Sequence, residues 1–298
     1  MNPRSEPPQT TLPRRTILLN SSSLKLTHCQ QHYHNVVCRG LVPAEMSEYL
    51  TFGKAVHRYA ELRLKGTAAP QAMAHAIGEY TGGFQDKLAL ACVHMPPDLD
   101  KPYIDSSGRP YLELKFKLYW QSLIHHGTQY DIYVCGTFDK VGMFSDGTVR
   151  ITDYKTTRIY SPAQVFASYR VSVQMTFYLW VAQRFGYEIF DLPIANATHN
   201  CRMMLNICGV FVSHPQPTWK YGPPIQITLP ELERFEALLQ RELASTILPA
   251  WHSPAQNGRI NDTCSDCDFR GVCFATSETQ EQQEIAAFKQ VPYDPSTW

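Results

Sequence analysis

Apolar residues recur at helical spacing between Tyr49 and Lys65, where Phe52, Val56, Tyr59, Ala60 and Leu64 form one face, and His57 and Glu61 share another a turn apart. The same period predicts a helix from a Ser21–Ser23 cap to about Val37, with Leu24, Cys29 and Tyr33 turned inward. Further helices are expected over Gln71–His94, interrupted at Gly82-Gly83, from Pro162 through Phe185, and over Leu229–Leu248 with Leu232, Phe235, Leu238 and Leu239 inward. Strand patterns alternate with these. Tyr111 to Tyr119 reads apolar-polar throughout, which buries Leu112, Leu114, Phe116 and Leu118 and turns Glu113 outward with Lys115 and Lys117. Ile132–Phe144 and Val149–Tyr154 are β-rich runs joined through Ser145-Asp146-Gly147, a hairpin signal, and Arg202–Val212 is an apolar strand.

A chain of 298 residues can bury a full core in one or two domains, and it has no run approaching the ~18 apolar residues of a bilayer span, so a cytoplasmic protein without membrane partners is expected. Met1–Arg15 holds four prolines and no apolar signal core, and reads as a disordered tail. The segment from Met95 to Pro110 reads as a loop facing a substrate or partner, and the acidic, glutamine-rich stretch Ser277–Glu284 as a peripheral extension. Charge balances at 27 basic and 27 acidic residues, so contact with a nucleic acid needs a local basic groove. Lys54, Arg58 and Arg63, with Lys155, Arg158 and Arg170, are the candidates.

Two features carry chemistry. The hairpin brings Asp139, at the end of Gly136-Thr-Phe-Asp, toward Asp153 of Asp153-Tyr154-Lys155, and residues 153 and 155 project from one strand face. A carboxylate pair beside a lysine suits metal-assisted hydrolysis. Nine scattered cysteines exclude a secreted disulfide framework, but Cys264, Cys267 and Cys273 have the C-x2-C-x5-C spacing with which a chain wraps a metal, and thiolates suit structural zinc and iron-sulfur alike. Cys38, Cys92, Cys135, Cys201 and Cys208 lack ligand spacing and read as buried small hydrophobes.

The two acids and the lysine resemble the PD-(D/E)XK nuclease superfamily. Gly53-Lys-Ala-Val-His57 and Gln174-Met-Thr-Phe-Tyr178 match the G-x-x-x-H and Q-x-x-x-Y accessory motifs of its RecB-like exonuclease branch, in family order, and the resemblance covers roughly residues 20 to 275. The chain is similar to CRISPR-adaptation, AddB-type and phage-encoded RecB-like nucleases, although Lys140 follows the first acid where arginine is frequent and no helicase adjoins. The resemblance implies an α/β restriction-endonuclease-like core, a mixed central sheet flanked by helices, over residues 19–275, with a tail at 1–18 and an extension at 276–298. It implies that Asp139 and Asp153 hold magnesium or manganese with His57 and the Tyr154 carbonyl. It further implies that Lys155 serves the attacking water, and that Gln174 and Tyr178 border the site. Glu113 is a further candidate acid. In the branch with an iron-sulfur staple, one cysteine lies near the start and three near the end, which implies a 4Fe-4S cluster on Cys29, Cys264, Cys267 and Cys273, with zinc as the rival. The activity implied is DNA exonuclease, on single strands or DNA ends in recombination, repair, CRISPR adaptation or phage DNA processing, with a helicase or integrase-type partner in trans. A non-catalytic module binding DNA ends or a protein partner and a zinc-stapled structural protein are the other readings.

Overall fold

The computed structural model describes residues 11–44, 47–96, 102, 104, 108, 110–143, 148–159, 161–190, 203–212, 216–252, 264 and 267–291. The chain runs through β1 (Arg14–Leu19), α1 (Ser21–Lys25), α2 (Gln30–Tyr33), a π-helical turn (His34–Cys38) and β2 (Leu41–Pro43), then α3 (Glu48–Leu64), α4 (Ala69–Glu79) and α5 (Gln85–Val93). It continues with β3 (Leu112–His125), β4 (Thr128–Met143), β5 (Val149–Thr157), α6 (Pro162–Arg170), α7 (Val173–Ile189), β6 (Met203–Phe211) and β7 (Thr218–Tyr221). The last elements are α8 (Leu229–Glu242), a π-helical turn (Leu243–Ile247), α9 (Leu248–His252), α10 (Arg270–Phe274), α11 (Glu278–Ile285) and β8 (Phe288–Gln290). Two compact units share the chain: the first takes Met1–Glu45, Lys117–Gly136 and Glu233–Trp298, the second Met46–Phe116 and Thr137–Leu232, so β3 and β4 each belong to both.

The second unit is α/β, with a mixed sheet flanked by helices. The latter part of β4 pairs antiparallel with β5 from Lys140↔Thr152 to Met143↔Val149, which establishes the expected hairpin although its turn lies outside the described residues. β5 pairs parallel with β6, and β6 antiparallel with β7. A parallel pair needs a long crossover, and α6 and α7 supply it. Serine caps explain the helix boundaries: Ser47 accepts from the Leu50 N–H, Ser161 from Gln164 with Pro162 behind it, and Ser172 from Met175. The Ser172 cap restarts the chain after Arg170, so the single helix expected from Pro162 through Phe185 is two. The expected face of α3 is buried, with Phe52, Val56, Tyr59 and Ala60 each under 5% exposed.

In the first unit the sequence reading needs three corrections. The tail expected to run to residue 18 is ordered from β1, which pairs parallel with β4 in register Arg14↔Gln129 to Leu19↔Val134. The helix expected to about Val37 stops at Lys25, and Cys29 has extended backbone as the N-cap of α2 rather than a place inside a helix. Asn20 and Ser23 form a reciprocal capping box, so α1 starts where expected, but the chain turns before Cys29. Leu238, expected inward, is 36% exposed, whereas Leu232, Phe235 and Leu239 are buried. Beyond the Ser277–Glu284 stretch, β8 pairs antiparallel with β2.

Asp131 ties β1 down: its Oδ2 accepts from Arg14 Nε and Nη2 at 3.1 and 2.7 Å, and its Oδ1 from Ser122 and Gln129 at 2.6 and 2.7 Å. Gln129 and Asp131 are buried, so removing the carboxylate leaves donors without acceptors. Asp131→Ala is expected to lose about 2–3 kcal/mol in urea unfolding and to speed amide exchange in β1; an unchanged midpoint contradicts this role.

Candidate active site

The ladder between β4 and β5 is described up to Lys140↔Thr152, and immediately beyond it a side chain takes over. Asp139 Oδ2 accepts the Tyr154 backbone N–H at 2.7 Å, so the first acid braces the strand that carries the second. On β5, side chains alternate between faces. Tyr154 packs with Ala60 and Cys208, while Asp153 and Lys155 point the other way and meet α7. Lys155 Nζ lies 2.6 Å from Asp153 Oδ2, and Asp153 is only 1% exposed. Gln174 Nε2 reaches Asp153 Oδ1 and the Tyr178 hydroxyl, each at 3.4 Å.

Helix α3 brings His57 to the same end of the sheet, with its Nδ1 3.4 Å from Asp139 Oδ2 and its ring edge-on to Tyr154. Gly53 suits this approach: a Cβ there would stand 3.1 Å from Thr156 Oγ1 on β5, a tight contact to which Thr156 would have to give a few tenths of an ångström. The glycine and histidine of the G-x-x-x-H spacing thus do separate work one turn apart: close approach to β5 and placement of an imidazole against Asp139.

Glu113 overturns the alternation expected of its strand. Its φ of 48° lies in the left-handed region, uncommon for a residue with a side chain, and the carboxylate joins His57 and Asp139 instead of facing outward with Lys115 and Lys117. One ligand atom from each of His57, Glu113 and Asp139 lies within 4.8 Å of the others, and among the described residues no other group of three histidine, cysteine or acidic side chains is so gathered.

Crowded carboxylates set the electrostatics. Burial, then the charges of Asp139 and Glu61, push Glu113 up to about 8. Burial also raises Asp153, with Asp139 adding to it against the pull of Lys155. Lys155 is held well above the usual lysine range: burial opposes its charge, but Asp153 and Asp139 outweigh it. Burial, followed by Asp153, raises the Tyr178 phenol. Negative charge is therefore in excess, and the donor set of an imidazole and carboxylate oxygens fits a hard divalent cation such as magnesium or manganese. Sequence reasoning missed Tyr169, whose phenol burial raises and which senses both Lys155 and Asp153. The break between α6 and α7 puts it there, and only Ser172, read as a cap, could have signalled that break.

The four cysteines singled out all belong to the first unit. Burial pushes Cys273 up to about 11, and the thiols of Cys267, Cys29 and Cys264 act on it in that order. Cys267, raised first by burial, senses Cys29 and Cys264 as well. They converge without closing to the spacing of the His57 group. Phe269 stacks on Phe288 at 4.7 Å and meets His32 at 5.3 Å, and with Leu41 and Val272 it makes a small core beside Cys267. Cys92, Cys135 and Cys208 are buried as expected, Cys38 is partly exposed, and Cys201 lies outside the described residues.

A family model described as the PD-(D/E)XK nuclease superfamily matches residues 21–274. No curated protein matches the chain. Among solved structures the chain is similar to a candidate exonuclease from Eubacterium rectale, with 12% identity, 84% of this chain and 87% of that one covered, and a TM-score of 0.46. It is also similar to the protein designated SSO0001, with 14% identity, coverage of 86% and 97%, and a TM-score of 0.30. Among the described residues no helix is long and apolar enough to cross a membrane.

A carboxyl raised from its ordinary value to about 8 binds its proton more tightly folded than unfolded, so it costs stability as pH rises from about 4.5 to about 8. Without added metal, the melting temperature is expected to fall across that window and level above it. Glu113→Gln should flatten the slope, stabilise the protein at pH 8 by at least about 1 kcal/mol and weaken manganese binding. A parallel pH profile in wild type and variant contradicts the assignment.

Proposed function

The chain belongs to the PD-(D/E)XK nuclease superfamily, and from that premise we propose that it is a metal-dependent DNA exonuclease acting on single strands or DNA ends. The observation that carries this reading is the grouping of His57, Glu113 and Asp139 beside the buried Asp153–Lys155 pair. Magnesium or manganese held by these acids and His57 would activate water and stabilise the leaving oxygen of a phosphodiester. The Tyr154 carbonyl is a further ligand in this reading: in an extended strand it faces the same edge as the Tyr154 N–H that Asp139 accepts.

Each side chain has a distinct task. Lys155 stays protonated at neutral pH, so it does not take a proton from water; it orients the attacking oxygen and offsets charge on the phosphorus oxygens. Asp153 holds Lys155, and Gln174 fixes Asp153 while spanning to Tyr178. Burial keeps the Tyr178 phenol neutral, which makes it a hydrogen-bonding group rather than a base.

The convergence of Cys29, Cys264, Cys267 and Cys273 supports a 4Fe-4S cluster in the first unit, and zinc is the alternative metal for the same thiolates. Such a clip would close a loop of more than 200 residues between the two ends of the chain, where cross-links of that length contribute about 4–5 kcal/mol. A helicase or integrase-type partner belongs to the reading by analogy of family.

Two measurements test it. Lys155→Ala is expected to fold normally, keep its manganese affinity and digest end-labelled DNA about 100-fold more slowly; wild-type rates contradict the role. Protein purified without oxygen should be brown, with a broad absorption band near ~400 nm that Cys267→Ser bleaches while lowering the melting temperature. A colourless protein containing zinc decides for the alternative.

A further inference from the structure

Outside the acidic site, the second unit carries a partly exposed column of two stacked rings flanked by two cations that the phosphodiester chemistry does not use. The Arg158 guanidinium lies 4.7 Å from the centre of the Tyr49 ring. Tyr49 stacks on Phe84, with centroids 5.8 Å apart and planes at 25°, and Lys87 Nζ lies 5.8 Å over Phe84. Tyr49 is 49% exposed, which is unusual for a large ring held on both faces.

The column is built, not incidental. The Phe84 N–H donates to the Tyr80 hydroxyl at 3.2 Å, and that hydroxyl donates to Glu48 Oε1 at 3.1 Å. The same carboxylate oxygen accepts the Gly83 N–H, and a side chain at Gly82 would strike Tyr80 and Glu48. Tyr80 is 2% exposed, so a buried phenol and an acid of the first turn of α3 fix the turn that sets Phe84 against Tyr49. Placement matters as much. Tyr49 stands one helical turn before Gly53, whose backbone abuts Thr156, and Arg158 follows Lys155 by three residues, roughly 10 Å along an extended chain.

We propose that Tyr49 and Phe84, flanked by Arg158 and Lys87, form a stacking platform for unpaired bases of a nucleic-acid strand leading to the acidic site. Stacked rings flanked by cations are the pairing that single-strand binding uses: bases stack on a ring whatever their sequence, and the cations meet phosphates. A base takes the outer face of Tyr49 as Arg158 turns to the backbone, because stacking of a base outweighs an exposed cation–π contact. Paired bases are stacked on each other and offer no free face, so the platform selects unpaired strands. The inference rests on the nuclease reading for its direction toward Asp139, but not for the binding itself.

The test measures fluorescence anisotropy of wild type, Tyr49→Ala and Tyr49→Phe with a short oligothymidylate, an abasic strand of equal length and charge, and a blunt duplex, without added magnesium or manganese. Hydrolysis of bis(p-nitrophenyl) phosphate with manganese, which has no base to stack, is followed in parallel. Tyr49→Ala should bind oligothymidylate about tenfold more weakly, while Tyr49→Phe binds as wild type. The abasic strand should bind wild type as weakly as oligothymidylate binds Tyr49→Ala, with duplex binding and small-ester hydrolysis unchanged. Oligothymidylate binding that is unaltered in Tyr49→Ala, absent from wild type, or equal to abasic binding overturns the platform, and unaltered binding leaves the column as a surface for a protein partner. Binding as expected without hydrolysis of DNA or ester upholds the platform and fells the nuclease reading alone.

Discussion

Excess negative charge, gathered around the buried Asp153 at one end of a sheet, is the constraint from which the second unit's arrangement follows. Asp139 stands close enough to Glu113 and Asp153 to raise the proton affinity of both, and the Lys155 ammonium lies against Asp153. Burying such charges is costly unless they are paired and hydrogen-bonded. The fold answers with specific partners: the Tyr154 N–H for Asp139, and Lys155 with Gln174 for Asp153. At Glu113 burial, Asp139 and Glu61 prevail over the opposing pull of Lys65 and Lys115, and its carboxyl is pushed up to about 8. A divalent cation would relieve that excess.

The supporting architecture serves this placement. A parallel β5–β6 pair requires a crossover, and the crossover delivers α7 with Gln174 and Tyr178 to the face carrying Asp153. On the other face, Gly53 lets α3 approach β5 closely enough for His57 to reach Asp139. Strain at Glu113 is spent where it turns a carboxylate inward, as backbone outliers at functional sites commonly do.

Much of this was legible in the chain, for identifiable reasons. The hairpin from Asp139 to Asp153 followed from two β-rich runs about an Asp-Gly pair, and α3 from its helical period, because both are local signals. The family resemblance followed from four short motifs in order, and the match over residues 21–274 shows the PD-(D/E)XK superfamily. What stayed hidden depended on backbone choices that alternation cannot express. Glu113 read as solvated because period-2 reasoning assumes extended dihedrals, and a single left-handed residue reverses it. Cys29 read as helical because the apolar pattern continues through it, although the chain turns between Lys25 and Gln30. The N-terminal strand escaped notice because the four prolines before it dominate the composition there, while its pairing with β4 spans more than 100 residues.

The most direct measurement is anomalous diffraction from crystals grown with manganese. The account predicts a manganese peak coordinated by His57, Glu113 and Asp139, with Asp153 alongside. Manganese bound elsewhere, with those three side chains left without it at saturating concentration, would contradict the proposal that the clustered acids hold a divalent cation.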